Sequence, residues 1–249
     1  SHDAHKDTTE KKKKRAHPLL ILLVLLLSKL QRKFVPEQKK KTTRMASDAR
    51  RDAAKGGKGK VAVKVGMVGD SQVGKTSLMV KYVENTFDED YIQTLGVNFM
   101  EKTIAVRGNE ITFTIWDLGG QREFISMLPL VCNDAFAILF MFDLSRKSTL
   151  VSVREWYRQV RNYNKTAKAI LIGTKYDLFQ TEFDDETKEE ITNKARKFAT
   201  AMKAPLIFCS SQGEGINVQQ IFKIVLSKVF DLKCTIPVVS EVGQPIIEF

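Results

Sequence analysis

Gly69, Gly74, Lys75 and Thr76 stand at the spacing G-x-x-x-x-G-K-T within Gly69-Asp70-Ser71-Gln72-Val73-Gly74-Lys75-Thr76. That pattern suits a polyphosphate. Its glycines let the backbone fold so that successive N–H groups converge, here those of Asp70, Ser71, Gln72, Val73, Gly74, Lys75, Thr76 and Ser77, and the positive end of the following helix points the same way. Lys75 is placed to reach the β and γ phosphates, and the Thr76 hydroxyl to bind Mg²⁺. The competing reading is a chance glycine turn before a helix. The flanks oppose it, because an apolar run from Val61 to Val68 leads into the loop and a helix-like segment from Ser77 to Val83 leaves it.

Further segments supply what such a loop lacks. Asp117-Leu118-Gly119-Gly120-Gln121 offers a carboxylate to hold Mg²⁺ through water, a Gly120 N–H for the γ-phosphate and a Gln121 amide to orient a water molecule. Alone, D-x-x-G is usually just a strand-ending turn; behind a phosphate loop and a hairpin it completes a site. Thr94, in a polar acidic stretch from Glu84 to Gly96, is expected to give the metal a second hydroxyl only when a γ-phosphate is present. Thr174-Lys175-Tyr176-Asp177 follows a buried strand and reads a base. The Asp177 carboxylate can accept two hydrogen bonds from guanine N1 and N2 but meets the wrong donors and acceptors on adenine. Lys175 is expected to lay its stem on the base and Phe87 to cover another edge, with Ser210-Ser211-Gln212 offering backbone N–H groups to the guanine carbonyl. The ligands so implied are GTP or GDP with Mg²⁺, and the groups acting on the reacting phosphate are Lys75 and Gln121.

The elements that must position these groups alternate along the chain. A hairpin of strands Val97 to Val106 and Glu110 to Trp116 turns at Gly108-Asn109, and Asp117 is expected to break its second strand. Then come strand Ala135 to Asp143, helix Ser148 to Tyr163, strand Ala169 to Gly173, helix Glu186 to Met202, strand Leu206 to Cys209 and helix Val218 to Phe230. Alternation of this kind predicts an α/β fold: a six-stranded, mostly parallel sheet with one antiparallel strand and helices on both faces, ligands lying beyond the carboxyl ends of the strands. Ser148 is the expected N-cap of its helix. Trp156, in register with Val153 and Val160, is assigned to core packing and not to chemistry.

Charge is distributed unevenly. Of 40 Lys and Arg and 29 Asp and Glu, residues 1–60 hold 18 and 6, leaving 22 and 23 for the rest. A neutral body behind a basic extension argues against a nucleic-acid groove in the domain, although the extension itself could touch phosphates or lipid. The nine apolar residues Leu19 to Leu27 fall short of the ~20 that span a bilayer. Between basic runs they resemble a signal sequence or an interfacial anchor, whereas Met45-Ala46-Ser47 reads as a natural start and residues 1–44 as a segment outside the working protein. Three scattered cysteines without ligand spacing suit a reduced, intracellular setting. The domains expected are therefore the extension over 1–60, a nucleotide domain over 61–233 and a tail over 234–249. No Cys stands in the last four residues, so no prenyl anchor is expected.

Val61 to Leu232 resembles the Ras superfamily of small GTPases. The surroundings of Thr94-Leu95-Gly96-Val97 and Trp116-Asp117 are Rab-like. Trp116-Asp117-Leu118-Gly119-Gly120-Gln121-Arg122-Glu123-Phe124, Met127-Leu128-Pro129, Cys132-Asn133-Asp134, Gly173-Thr174-Lys175-Tyr176-Asp177 and Asp231-Leu232-Lys233-Cys234 resemble the fungal septum-promoting and mitotic-exit GTPases. That resemblance implies the P-loop small GTPase fold and a cytoplasmic switch at the spindle pole body. In its GTP state such a switch recruits a Ste20-type protein kinase for septation, a spindle-pole scaffold locates it, and a two-component GTPase-activating protein with a TBC-type subunit turns it off. Two other readings stand beside it: a Rab-type trafficking switch, and a nucleotide-loaded interaction module with negligible turnover. Departures from the family pattern are Thr174 where Asn is usual, Gln72 where Gly is usual, and the absence of Arg between Phe87 and Thr94. The last predicts slow hydrolysis unless a partner supplies the missing charge.

Overall fold

The computed structural model describes residues 60–249, apart from Tyr91 and Arg107. The expectations for residues 1–59, including the apolar run and the start at Met45, lie outside the described residues.

Apolar β-branched and aromatic runs form the strands, and the sheet they build runs in the order β2-β3-β1-β4-β5-β6-β7. Its members are β1 (Lys60–Val68), β2 (Val97–Val106), β3 (Asn109–Leu118), β4 (Ala137–Asp143), β5 (Lys168–Thr174), β6 (Leu206–Phe208) and β7 (Ile247–Glu248). β1 pairs in parallel with β3 and β4, and the parallel run continues through β5 to β6. β2 is antiparallel to β3, as the hairpin signal predicts. The helices are α1 (Lys75–Glu84), α2 (Leu128–Cys132), α3 (Lys147–Tyr163), α4 (Tyr176–Glu182), α5 (Asp185–Met202) and α6 (Val218–Phe230), with a 3₁₀ turn over Arg122–Met127.

Alternation within the central strands sends side chains to two separate cores. Ile138, Phe140 and Phe142 pack with Val153, Trp156 and Val160 of α3 and Ala195 of α5 on one face. Ala137, Leu139 and Met141 pack with Leu78, Met79 and Tyr82 of α1 and Phe222 of α6 on the other. Every residue of β4 is buried, which is why it reads as a continuous apolar run. Such a sheet, clamped on both faces, fixes its strand ends rigidly, and those ends carry the site.

Several expected boundaries shift. β3 does not break at Asp117: it continues to Leu118, with Asn98 opposite Asp117 and Val97 opposite Leu118, and the turn begins at Gly119. The ladder to β2 outweighs the local preference of Asp for a turn. Ser148 is not an N-cap, since α3 starts one residue earlier behind Arg146, which makes no side-chain cap bond. Instead, the Thr149 hydroxyl accepts from Asp143 N and donates to Arg146 O, stitching the strand end to the helix.

The larger correction concerns residues 234–249, expected as a tail outside the domain. They add a seventh strand, antiparallel to β6, to the six that were expected. Ile246 and Ile247 are buried in opposite cores, one on each face of the sheet. Two residues of strand are too short to read from sequence, and it is pairing with the β6 edge and with Val239 that orders them. Cys132, Cys209 and Cys234 are all free, and burial pushes the Cys132 and Cys209 thiols up to about 12. Among the described residues no helix is long and apolar enough to cross a membrane. Ile246→Ala removes a fully buried side chain. It should lower the unfolding free energy of the nucleotide-loaded protein by about 2–4 kcal/mol in urea titrations; an unchanged midpoint would contradict a C-terminal segment built into the core.

Candidate functional site

A cleft of about 870 Å³ opens at the carboxyl ends of the strands. Its walls bring together Ser71, Gln72, Gly74, Lys75, Thr76, Ser77, Phe87, Thr94, Gly120, Gln121, Thr174, Lys175, Asp177, Ser210, Ser211 and Gln212. Three predicted residues stand behind that wall. Val73 and Asp117 are fully buried. Asp70 turns its carboxylate to the Trp156 indole, which donates to it at 2.8 Å. Trp156 is thus a core residue, as expected, and also a tether of the phosphate loop, which its helical stripe could not show.

The loop is shaped by backbone geometry. Gly69 and Gly74 have φ of 152° and 83°, and Gln72 also takes a positive φ of 63°. A side chain at Gln72 therefore sits in a conformation that glycine adopts more cheaply, which answers the question raised by the missing glycine. Gly74 caps α1, so the helix opens at Lys75 with its N–H groups toward the cleft. The Lys75 ammonium donates to Gly69 O at 2.9 Å and Asp70 O at 2.7 Å. Burial lowers its pKa to about 8, against the opposing pull of Asp117.

Next to the ammonium, oxygens from three segments converge. Thr76 Oγ1 donates to Asp117 Oδ2 at 2.5 Å and lies 2.8 Å from Thr94 Oγ1, which itself stands 3.4 Å from Asp117 Oδ2. The other carboxylate oxygen, Asp117 Oδ1, is buried without a hydrogen-bond partner. Burial raises the Asp117 pKa, with Lys75 and the two threonine hydroxyls opposing it. A buried carboxylate with one oxygen on two hydroxyls and the other unpartnered fits a hard cation such as Mg²⁺, which takes few protein oxygens and keeps several waters. Gln121 donates its amide to Ser71 Oγ at 3.1 Å, and its own Oε1 is buried with no partner. A Cβ on Gly120 would lie 2.2 Å from Ser71 N, so the two loops meet backbone to backbone.

At the other end of the cleft, Ser210 Oγ donates to Asp177 Oδ1 at 2.5 Å and accepts from Gln212 N at 3.1 Å. Gln212 N–H is therefore committed within its own loop, contrary to the expectation that it is offered outward. Lys175 takes a left-handed φ of 57° and pairs with Asp143 Oδ2 at 2.8 Å. Asp143 also accepts from Arg146 Nε at 2.8 Å, while Arg146 donates to Ser71 O at 2.9 Å. Burial acts to raise the Asp143 carboxyl, but hydrogen bonds from Lys175, Ser145 and Arg146 outweigh it and hold it below its usual value. Sequence reasoning missed Asp143 and Arg146. The signal for Asp143 was present, a charge closing the run Ala137-Ile138-Leu139-Phe140-Met141-Phe142; Arg146 carried none.

Thr174 Oγ1 donates to Val73 O at 2.6 Å and lies 2.9 Å from Phe142 O. One hydroxyl proton serves two carbonyls, whereas an Asn amide brings two N–H donors. Thr174→Asn is expected to slow GDP release roughly fivefold by securing the phosphate loop to β5 more firmly. Stopped-flow release at the wild-type rate would contradict this account.

Residues 64–231 match the family model described as the Ras family. The chain is 69% identical over 192 residues to Septum-promoting GTP-binding protein 1 of Schizosaccharomyces pombe, covering 77% of this chain and 96% of that protein. It is 29% identical to Ras-related protein SEC4 of Saccharomyces cerevisiae, over 75% of this chain and 85% of that one. It is also 29% identical to Ras-related protein Rab-1A of Dictyostelium discoideum, over 66% and 78%. The matched span begins in β1 and ends just past α6, taking in every strand end that lines the cleft, and the chain accordingly belongs to the Ras family of small GTPases.

Proposed function

We propose that this GTPase is a septation switch whose two loops report on the γ-phosphate of GTP. Members of its family bind GTP and GDP, typically with Mg²⁺, hydrolyse GTP, and work with activating proteins and effectors. The observation that carries the reading is the convergence of Thr76, Thr94 and Asp117 oxygens beside Lys75. Thr94 comes from an irregular segment whose neighbours Ile92 and Leu95 are 79% and 78% exposed. A hydroxyl drawn to a shared centre would carry that apolar surface with it, so the presence of a γ-phosphate would decide which surface an effector meets.

In the proposed mechanism, water attacks the γ-phosphorus in line with the leaving β–γ oxygen, giving GDP and inorganic phosphate. Thr76, Thr94 and Asp117 would hold Mg²⁺, which would supply positive charge against the charge that builds on the phosphates. Lys75 turns from the Gly69 and Asp70 carbonyls to the same phosphates, and the Gly120 N–H faces the γ-phosphate. Gln121 Oε1 accepts a hydrogen from the attacking water while the bond to Ser71 fixes its amide. Asp177 reads guanine N1 and N2, Lys175 and Phe87 flank the ring, and the backbone of Asp70 to Ser77 cradles the phosphates. Arg146, whose guanidinium reaches the loop, is committed to Asp143 and Ser71 O, so turnover depends on an incoming partner group.

The name of the fission-yeast relative supports the septation role. Within it we place the partners implied by the resemblance: a two-component TBC-type activator, a Ste20-type kinase as effector, and a spindle-pole scaffold that locates the switch. The working domain in this reading is 61–233, continued by the C-terminal segment.

Thr94→Ala should weaken GTP binding roughly tenfold or more while leaving GDP affinity near wild type, as read by competition with a fluorescent nucleotide. Equal losses for both nucleotides would contradict a γ-phosphate sensor. Single-turnover assays should show slow loss of γ-phosphate alone, and roughly 10³-fold or faster loss when the missing transition-state charge is supplied by a cell extract. No loss in either condition would leave only a nucleotide-loaded docking module.

A further inference from the structure

The C-terminal segment does more than cover an edge. It folds back on itself, Val239 and Ile247 exchanging two hydrogen bonds of 3.0 and 2.9 Å around a turn closed by Gln244 N to Glu241 O at 3.1 Å. Arg196 on α5 holds the hairpin through Glu248, with contacts of 2.7 and 3.0 Å, and through Ser240 O. β7 then pairs with β6, and Phe208 N donates to Ile246 O.

From this anchored hairpin two hydrogen-bonded routes lead to the same carboxylate. Tyr176, between Lys175 and Asp177 in the chain and buried to 2% exposure, donates its phenol to Gly243 O at 2.6 Å. Its peptide N–H is held by Cys209 O, so both ends of this residue are fixed. Asn217 donates one amide group to both Phe208 O at 2.9 Å and Pro245 O at 3.0 Å. Just before it, Ser210 and Ile216 pair across the loop that carries Ser210, whose hydroxyl grips Asp177.

We infer that the hairpin Val238 to Glu248 is a strap that positions the guanine-reading loops, with Tyr176 and Asn217 as its positioning residues, so that base retention and base discrimination depend on a segment that does not touch the nucleotide. The inference rests on the assignment of Asp177 to guanine. A carboxylate that must meet two ring donors loses selectivity when displaced by a fraction of an ångström. The strap fixes the helix start that carries Asp177 from one side and the Ser210 loop from the other.

Inosine diphosphate reads this directly, because its base lacks the exocyclic amine that supplies one of the two donors. The test uses the full chain loaded with fluorescent GDP and two variants: Tyr176→Phe, which deletes one oxygen, and Arg196→Met, which frees Glu248 and Ser240 without touching either base-reading loop. Both are expected to release GDP roughly three- to tenfold faster and to show a smaller preference for GDP over inosine diphosphate. Wild-type release and preference in Tyr176→Phe would overturn the strap. Faster release with an unchanged preference would also overturn it, since general loosening moves rates without moving base selectivity. Should Arg196→Met fail to fold, Tyr176→Phe decides alone. A wild-type chain that retains fluorescent GDP no better than adenosine diphosphate would instead remove the guanine assignment, and the strap's role with it.

Discussion

Close approach of backbone to backbone is the constraint on which this structure turns. A Cβ on Gly69 would sit 2.3 Å from Met141 O, and one on Gly120 would sit 2.2 Å from Ser71 N. Phosphate loop, strand β4 and the turn after β3 are therefore packed with no side chain between them. A ligand held by such a loop is felt at once by the neighbouring turn, because there is no soft layer to absorb a shift. Gly119 extends the contact, donating its N–H to Gly96 O at 2.8 Å and so joining the turn to the segment that carries Thr94.

Charge secures what sterics bring together. Asp143, at the end of a wholly buried strand, holds Lys175 on one side and Arg146 on the other, and Arg146 reaches Ser71 O. A single carboxylate thus links the loop proposed to read the base to the phosphate loop. Thr174 adds a second link between the same two loops through Val73 O. Beneath both, two apolar cores on opposite faces of the sheet keep the strand ends from moving independently. The loops that carry Ser71 and Lys175 are consequently parts of one rigid framework, whereas Thr94 stands in a segment outside regular secondary structure.

The far edge of the sheet meets a different demand. An unpaired edge strand invites association with other chains, and covering it is a common remedy. Here the cover is the chain's own C-terminal hairpin, which also buries Ile246 and Ile247. Because β6 leads straight into the loop that bears Ser210, whatever fixes this edge also fixes one wall of the cleft. Edge protection and ligand geometry are joined by topology.

The sequence by itself determined which short segments line the cleft: G-x-x-x-x-G-K-T, D-x-x-G-Q and T-K-Y-D bring Lys75, Thr76, Gly120, Gln121, Lys175 and Asp177 to it, and each pattern is legible because it is a local backbone shape with fixed donors and acceptors. It also determined the six main strands and the four long helices, whose periodicity extends over enough residues to be read. Tertiary structure decided the rest. Asp117 stays in β3 because a partner strand is there to pair with it, Trp156 reaches Asp70 because α3 packs across the loop, and Asp143 becomes a hub because Lys175 arrives from a distant segment and its neighbour Arg146 reaches across to Ser71 O. The two-residue strand at Ile247–Glu248 forms because the β6 edge and Val239 are there to pair with it. Long-range contacts of this kind depend on which surfaces meet, and no local pattern records that.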